Sequence, residues 1–210
     1  MKKQNKFTKN NYQIYKQGLD KKIAVFVYNY FRLKREVAKT FFATKYISPI
    51  TEEWGVWNDE QVPNTYSHYA DIAMETIMLA IYPLVEKETN LKLIPTYSYA
   101  RIYKNGDILE RHKDRFSCEI SVTLFLGGNP WDLFLKPMDT KDSPIIRVKQ
   151  KPGDMLIYSG WTMEHWREPF AGTEHCQVFL HFNKADKKNV NMCDRRPHLG
   201  LPAWFKRPKT

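Results

Sequence analysis

Tyr99-Ala-Arg-Ile-Tyr-Lys-Asn-Gly-Asp-Ile-Leu-Glu-Arg-His-Lys-Asp114 reads as two β-strands joined by a turn at Asn105-Gly106. It ends in an H-x-D triplet, His112-Lys113-Asp114. Successive strand side chains alternate faces, so His112 and Asp114 are expected on one side and Lys113 on the other. Further along, Trp161-Thr-Met-Glu-His-Trp-Arg-Glu-Pro-Phe170 supplies a second histidine, His165. Two histidines and a carboxylate are the ligand set of a non-haem Fe(II) centre that keeps coordination positions open. An isolated H-x-D is weak evidence, because most chance occurrences are solvated surface residues, and its weight depends on the surroundings.

Outward from these stretches, short runs alternate with turn residues. Strands are expected over 94–103, 108–114, 118–126, 131–136, 145–148, 154–158 and 176–182. Gly127-Gly128-Asn129-Pro130, Pro152-Gly153-Asp154 and Ala171-Gly172-Thr173 stand among the separators. That rhythm points to a jelly roll or double-stranded barrel, mostly β with some α. Upstream, Ile23, Phe26, Val27, Tyr30 and Phe31 mark an amphipathic helix between Leu19 and Phe42. Residues 48–64 read as a loop. Asn64 is the expected cap of a second helix reaching Glu88, kinked or turned at Pro83. The expected organisation is a flexible basic lead-in (1–18), helices packing on the barrel (19–90), a β core (91–183) and a basic tail (184–210).

The net charge of +10 invites a nucleic-acid reading until it is located. The basic excess sits in the first fifty and last thirty residues, while the segment between is acidic. A phosphate-tracking groove belongs on the working surface, so solvated termini explain the charge better and a nucleic-acid partner is disfavoured, though left open. Three cysteines (Cys118, Cys176, Cys193) form no C-x-x-C pair, and an odd number argues against a disulfide framework. A reducing, cytoplasmic setting fits. No apolar leader is visible, and the apolar stretch Ile72 to Val85 is short and carries Glu75, so no membrane association is expected.

Taken together, Tyr103, Gly106, Leu109, His112 and Asp114 resemble the Tyr-x-x-Gly-x-x-Leu-x-x-His-x-Asp entry of the Fe(II)/2-oxoglutarate dioxygenases. Gly153-Asp-Met-Leu-Ile-Tyr158, with His165 and Pro169, resembles that superfamily's Gly-Asp-x-Leu-x-Phe and His-x-x-x-Pro elements. The similarity is to the prolyl 4-hydroxylase-like branch and covers roughly residues 91–183. It implies a double-stranded β-helix holding Fe(II) through His112, Asp114 and His165. 2-Oxoglutarate and O2 would be co-substrates, with room for ascorbate as auxiliary reductant, and the reaction would be hydroxylation of an unactivated C–H bond. The substrate, whether peptide, amino acid or other small molecule, is left open. His165 is preferred as third ligand over His175 and His181 because its offset to Pro169 matches. A cupin-like binding barrel without oxygenase chemistry and a nucleic-acid-modifying oxygenase are the rival readings.

The resemblance breaks at one point. Such enzymes supply Arg or Lys about ten residues after the distal histidine to hold the far carboxylate of 2-oxoglutarate. Here His175 stands in that place, with Gln177 two residues on. Arg101 is the expected substitute, because it shares a strand face with Tyr103 and a related DNA-repair branch places a co-substrate contact at that offset. A guanidinium there would grip a carboxylate in a fork while Tyr103 adds a hydrogen bond. The plainer reading of Arg101 is an ion pair within the sheet, perhaps with Glu119. Lys136 and Arg167 are weaker candidates, and His175 serves only if protonated.

Overall fold

The computed structural model describes residues 6–137, 143–185 and 191–207. The six strands β1 (Tyr12–Tyr15), β8 (Met155–Tyr158), β5 (Ile120–Gly128), β10 (Glu174–Lys184), β3 (Leu93–Lys104) and β2 (Tyr66–Tyr69) lie side by side in that order, all antiparallel. A second antiparallel sheet runs β4 (Leu109–His112), β9 (Glu164–Arg167), β6 (Leu133–Lys136), β7 (Ile146–Val148). The chain therefore crosses between sheets repeatedly, and two layers of strand enclose one interior.

The alternation of side chains divides the large sheet into two chemically different faces. One face carries Ala100, Ile102, Val122, Leu124, Ile157, Val178 and Leu180, all buried in the main apolar core. Two helices cover it. In α2 (Lys21–Ala43), Ala24, Val27, Phe31 and Ala38 recur at helical spacing on the buried side. The Asp20 carboxylate caps it by accepting from the backbone N–H groups of Lys22 at 2.8 Å and Ile23 at 3.3 Å. In α3 (Ile72–Thr89), Asp71 caps the first turn and the left-handed Asn90 ends the last; the helix runs through Pro83. The opposite face of the large sheet looks between the sheets and is not uniformly apolar. There Tyr99, Arg101, Tyr103, Ser121, Thr123, Gln177 and His181 alternate with Phe125, Leu156 and Phe179. Buried polar groups on that scale are costly unless partnered, so the inner face is where chemistry is to be sought.

Several expectations are corrected. Residues 6–15 are no loose lead-in: α1 (Lys6–Asn10) buries Phe7, and β1 pairs with β8. Asn64 caps nothing. It takes a left-handed conformation (φ 58°), β2 follows, and the cap of the helix stands seven residues later at Asp71. Strand β9 lies where the sequence pattern marks no strand. The 184–210 stretch is not a solvated tail throughout. Within its described part, Arg196 is fully buried and pairs with Glu75 of α3 at 2.8 Å while donating to the Thr96 carbonyl at 3.0 Å. No helix among the described residues is long and apolar enough to cross a membrane.

Candidate metal centre

His112 is the last residue of β4, and Asp114 lies two residues beyond it, outside the strand. The expected continuous strand to 114 is thus shorter, yet the two side chains still converge. The Asp114 backbone N–H donates to the Gly160 carbonyl at 2.9 Å, which turns the chain toward the sheet interior. Antiparallel pairing of β4 with β9 sets His112 directly opposite His165. The two imidazole rings are 4.3 Å apart at their centroids. His165 Nε2 lies 3.4 Å from Asp114 Oδ1, and His112 Nε2 lies 3.7 Å from the same oxygen.

The hydrogen bonds around the three residues fix which atoms face one another. His112 Nδ1 lies 2.7 Å from the Glu110 carbonyl and His165 Nδ1 lies 3.0 Å from the Met163 carbonyl. A carbonyl only accepts, so each ring carries a proton on Nδ1 and turns its Nε2 toward Asp114. Burial, then the neighbouring His165, lower the His112 pKa, which favours the neutral ring. Asp114 Oδ2 accepts from the Ser121 hydroxyl at 2.8 Å, leaving Oδ1 for the histidines. Burial would raise this carboxyl, but His165 and the Ser121 hydroxyl outweigh it and hold it well below the usual carboxylate range. Two imidazole Nε2 atoms and one ionised oxygen, each group oriented by a further hydrogen bond, fit a borderline first-row divalent ion. Bonds of about 2.1 Å put adjacent donors about 3 Å apart, and the two nitrogens lie 3.4 and 3.7 Å from Asp114 Oδ1.

A cavity of about 380 Å³ opens on this trio. Its walls include Tyr97, Tyr99, Arg101, Tyr158, Arg115 and Gln61. Gln61 and Asp59 reach in from the 48–64 loop, where nothing in the sequence marked them. The Gln61 side-chain nitrogen lies 3.1 Å from His112 Nε2, and Asp59 pairs with Arg101 at 2.5 Å while also accepting from the Tyr99 hydroxyl. Arg101 further donates to Tyr103 Oη at 3.2 Å and to Gln61 Oε1 at 3.1 Å. It faces the cavity as expected, but its partner is Asp59, not Glu119, and its charge is balanced.

The other expected co-substrate contacts separate. Lys136 sits across from Glu164, one residue out of phase with Leu135 and His165, so it lies on the outer face of its sheet and away from the trio. His175 and Gln177 are inward and buried. His175 stacks on Phe125 at 4.5 Å, and burial, reinforced by the Arg167 charge, pushes its pKa down to about 3. It is therefore neutral, which removes it as a cationic anchor. His181 is likewise buried, 3.0 Å from Ser121 Oγ, and serves the carboxylate's partner instead of joining the trio. It does stand with Asp114 and Cys118 in a second cluster of possible donors, but burial raises the Cys118 thiol to about 12 and keeps it protonated.

No family model matches the chain, and no curated protein sequence does. Its fold, however, is shared with known structures. The prolyl-4-hydroxylase of Pseudomonas putida aligns with a TM-score of 0.61 over 84% of this chain and 94% of that one, at 15% identity. The non-haem alpha-ketoglutarate-dependent epimerase SnoN of nogalamycin biosynthesis aligns at 0.62 over 85% and 80%, at 13% identity. HygX from Streptomyces hygroscopicus, solved with nickel, 2-oxoglutarate and hygromycin B, aligns at 0.59 over 91% and 92%, at 10% identity.

Proposed function

We propose that the two sheets form a double-stranded β-helix and that the chain is an Fe(II)- and 2-oxoglutarate-dependent oxygenase, hydroxylating an unactivated C–H bond of a peptide, amino acid or other small molecule. The observation that carries the reading is the trio itself: two Nε2 atoms, with their Nδ1 protons tied to backbone carbonyls, meet one carboxylate oxygen. The motif resemblance and the shared fold support it independently. Iron bound there supplies the activation of O2 that couples conversion of 2-oxoglutarate to succinate and CO2 with hydroxylation of the substrate.

The protein's own contribution is placement and exclusion. His112, Asp114 and His165 would hold the metal. Tyr103, buried beside Arg101, belongs to the inner wall, with Arg101 kept rigid by Asp59. Tyr97 and Arg115 line the cavity beyond, where Arg115 lies 4.5 Å over the Tyr97 ring and is held by Asp194 at 3.0 Å. Such a wall orients a polar substrate against the metal and limits water. Three buried, unpaired thiols fit a cytoplasmic setting.

The test is an anaerobic titration of the Fe(II)-loaded protein with 2-oxoglutarate, followed by exposure to O2. A visible metal-to-ligand charge-transfer band and then succinate are expected. A protein that binds iron but gives neither band nor succinate is a metal-binding barrel of another kind.

A further inference from the structure

Arg167 is a wholly buried arginine with no ion-pair partner among the described residues. It follows His165 by two residues on β9, both are buried, and strand alternation turns both inward. Its guanidinium donates to the Trp131 carbonyl and to Gln177 Oε1 at 3.2 Å. Among the described residues no carboxylate is in ion-pair contact with it, and its Nε has no hydrogen-bond partner. Arg101, in contrast, has Asp59. A wholly buried cation without a counter-charge is expensive, and an arriving anion would offset that cost.

The neighbours of Arg167 are also mismatched in donors and acceptors. His175 Nδ1 lies 2.8 Å from the Asn129 carbonyl, so a neutral His175 has a bare Nε2. That nitrogen stands 2.8 Å from Gln177 Oε1, acceptor against acceptor. Turning the Gln177 amide over satisfies His175 but sets a second donor against Arg167. As placed, the Gln177 side-chain nitrogen is buried without a partner. Arg167 and Gln177, in contact with each other, thus each carry an unpartnered buried donor, and Tyr103 is buried on the same inner face. A carboxylate supplies both what the cluster lacks: negative charge and acceptor oxygens.

We infer that Arg167, with Gln177, anchors the distal carboxylate of 2-oxoglutarate, displacing that role from Arg101 and from the strand position that His175 occupies. The inference rests on the oxygenase reading above. Two residues along a strand separate His165 and Arg167 by about 6.6 Å at Cα, a span suited to a five-carbon diacid chelating metal at one end.

The test uses Fe(II)-loaded protein under anaerobic conditions, with calorimetric affinities for 2-oxoglutarate and for 2-oxopentanoate, which keeps the chelating 2-oxo acid but has a methyl group in place of the far carboxylate. The wild type is expected to prefer the diacid about 100-fold, the range of a buried charge-assisted pair. Arg167→Met should bring that preference to within a few-fold, while Arg101→Met retains most of it. Gln177→Glu offers an internal carboxylate to Arg167 and covers the case in which Arg167→Met fails to fold. It should raise the Tm and abolish the preference together, a pairing that a purely structural role does not produce. A full preference in Arg167→Met or Gln177→Glu overturns the assignment. Wild-type protein that binds metal but neither 2-oxo acid overturns the oxygenase reading itself, and the anchor with it.

Discussion

Ser121 Oγ lies 2.8 Å from Asp114 Oδ2, on the side of the carboxylate opposite the two imidazoles. One oxygen is tethered, and the other is thereby aimed. Removing the tether in Ser121→Ala frees the carboxylate to rotate and is expected to weaken Fe(II) binding about 10- to 100-fold, the usual cost of losing a partner to a ligand. Competition against a coloured chelator under nitrogen measures it. An affinity equal to wild type would show that Gly160 and the backbone alone hold Asp114 in place.

Substitution of the trio is expected to act more severely. His112→Ala, Asp114→Ala and His165→Ala should each abolish stoichiometric iron, whereas His175→Ala should keep it, because His175 is turned to Asn129 and Phe125. Metal content after dialysis against Fe(II), with circular dichroism as a folding check, decides. An iron-free His175→Ala protein that is fully folded would move the third ligand.

Arg196 and Glu75 form a buried pair whose single loss should be far worse than its joint loss. Arg196→Met strands the Glu75 carboxylate, which also accepts from the Gly200 backbone. A destabilisation of about 3–5 kcal/mol is expected. Adding Glu75→Gln should recover part of it, read from urea midpoints of the two variants. Equal stability of the single and double variants would contradict a desolvated charge at Glu75.

The buried His175 sets a pH limit. Its folded pKa of about 3 lies below the unfolded value of about 6.5, so the unfolded chain takes the proton first. Its contribution is complete above pH 6.5 and declines as pH falls toward 3, by about 2 kcal/mol at pH 5. His181, shifted the same way to about 4, adds to this limb. His175→Gln should therefore lose less stability than wild type between pH 7 and 5 in urea titrations. Parallel losses in the two proteins would mean that other groups govern acid sensitivity.

Much of this was legible in the residues, and the failures have physical reasons. The expectation that His112, Asp114 and His165 converge rests on the motif resemblance more than on strand period, since Asp114 lies beyond the end of β4. The strands β3, β5 and β10 could be read because their apolar runs are bounded by Gly and Pro turns. Short strands were harder: β2 (Tyr-Ser-His-Tyr) is set by pairing with β3, not by its own pattern, and β9 carries charged and aromatic residues that hide its alternation. Asp71 and Asn64 both suit the role of helix cap, and only tertiary contacts choose between them. Asp71 is chosen by Lys34 at 2.6 Å and the Tyr30 hydroxyl at 2.9 Å. The balance between Arg101 and Arg167 was invisible, because Asp59 approaches from a loop whose path no periodicity encodes.

The short strand β1 has a consequence for handling the protein. It seals the flank of β8, and Lys16 and Gln17 just beyond it clip to Asp154 at 2.8 and 3.1 Å. Peel that ribbon away and β8 presents bare peptide groups, a template on which another molecule can extend the sheet. A four-residue ribbon thus covers this edge, and trimming the first fifteen residues is expected to promote aggregation, read by light scattering.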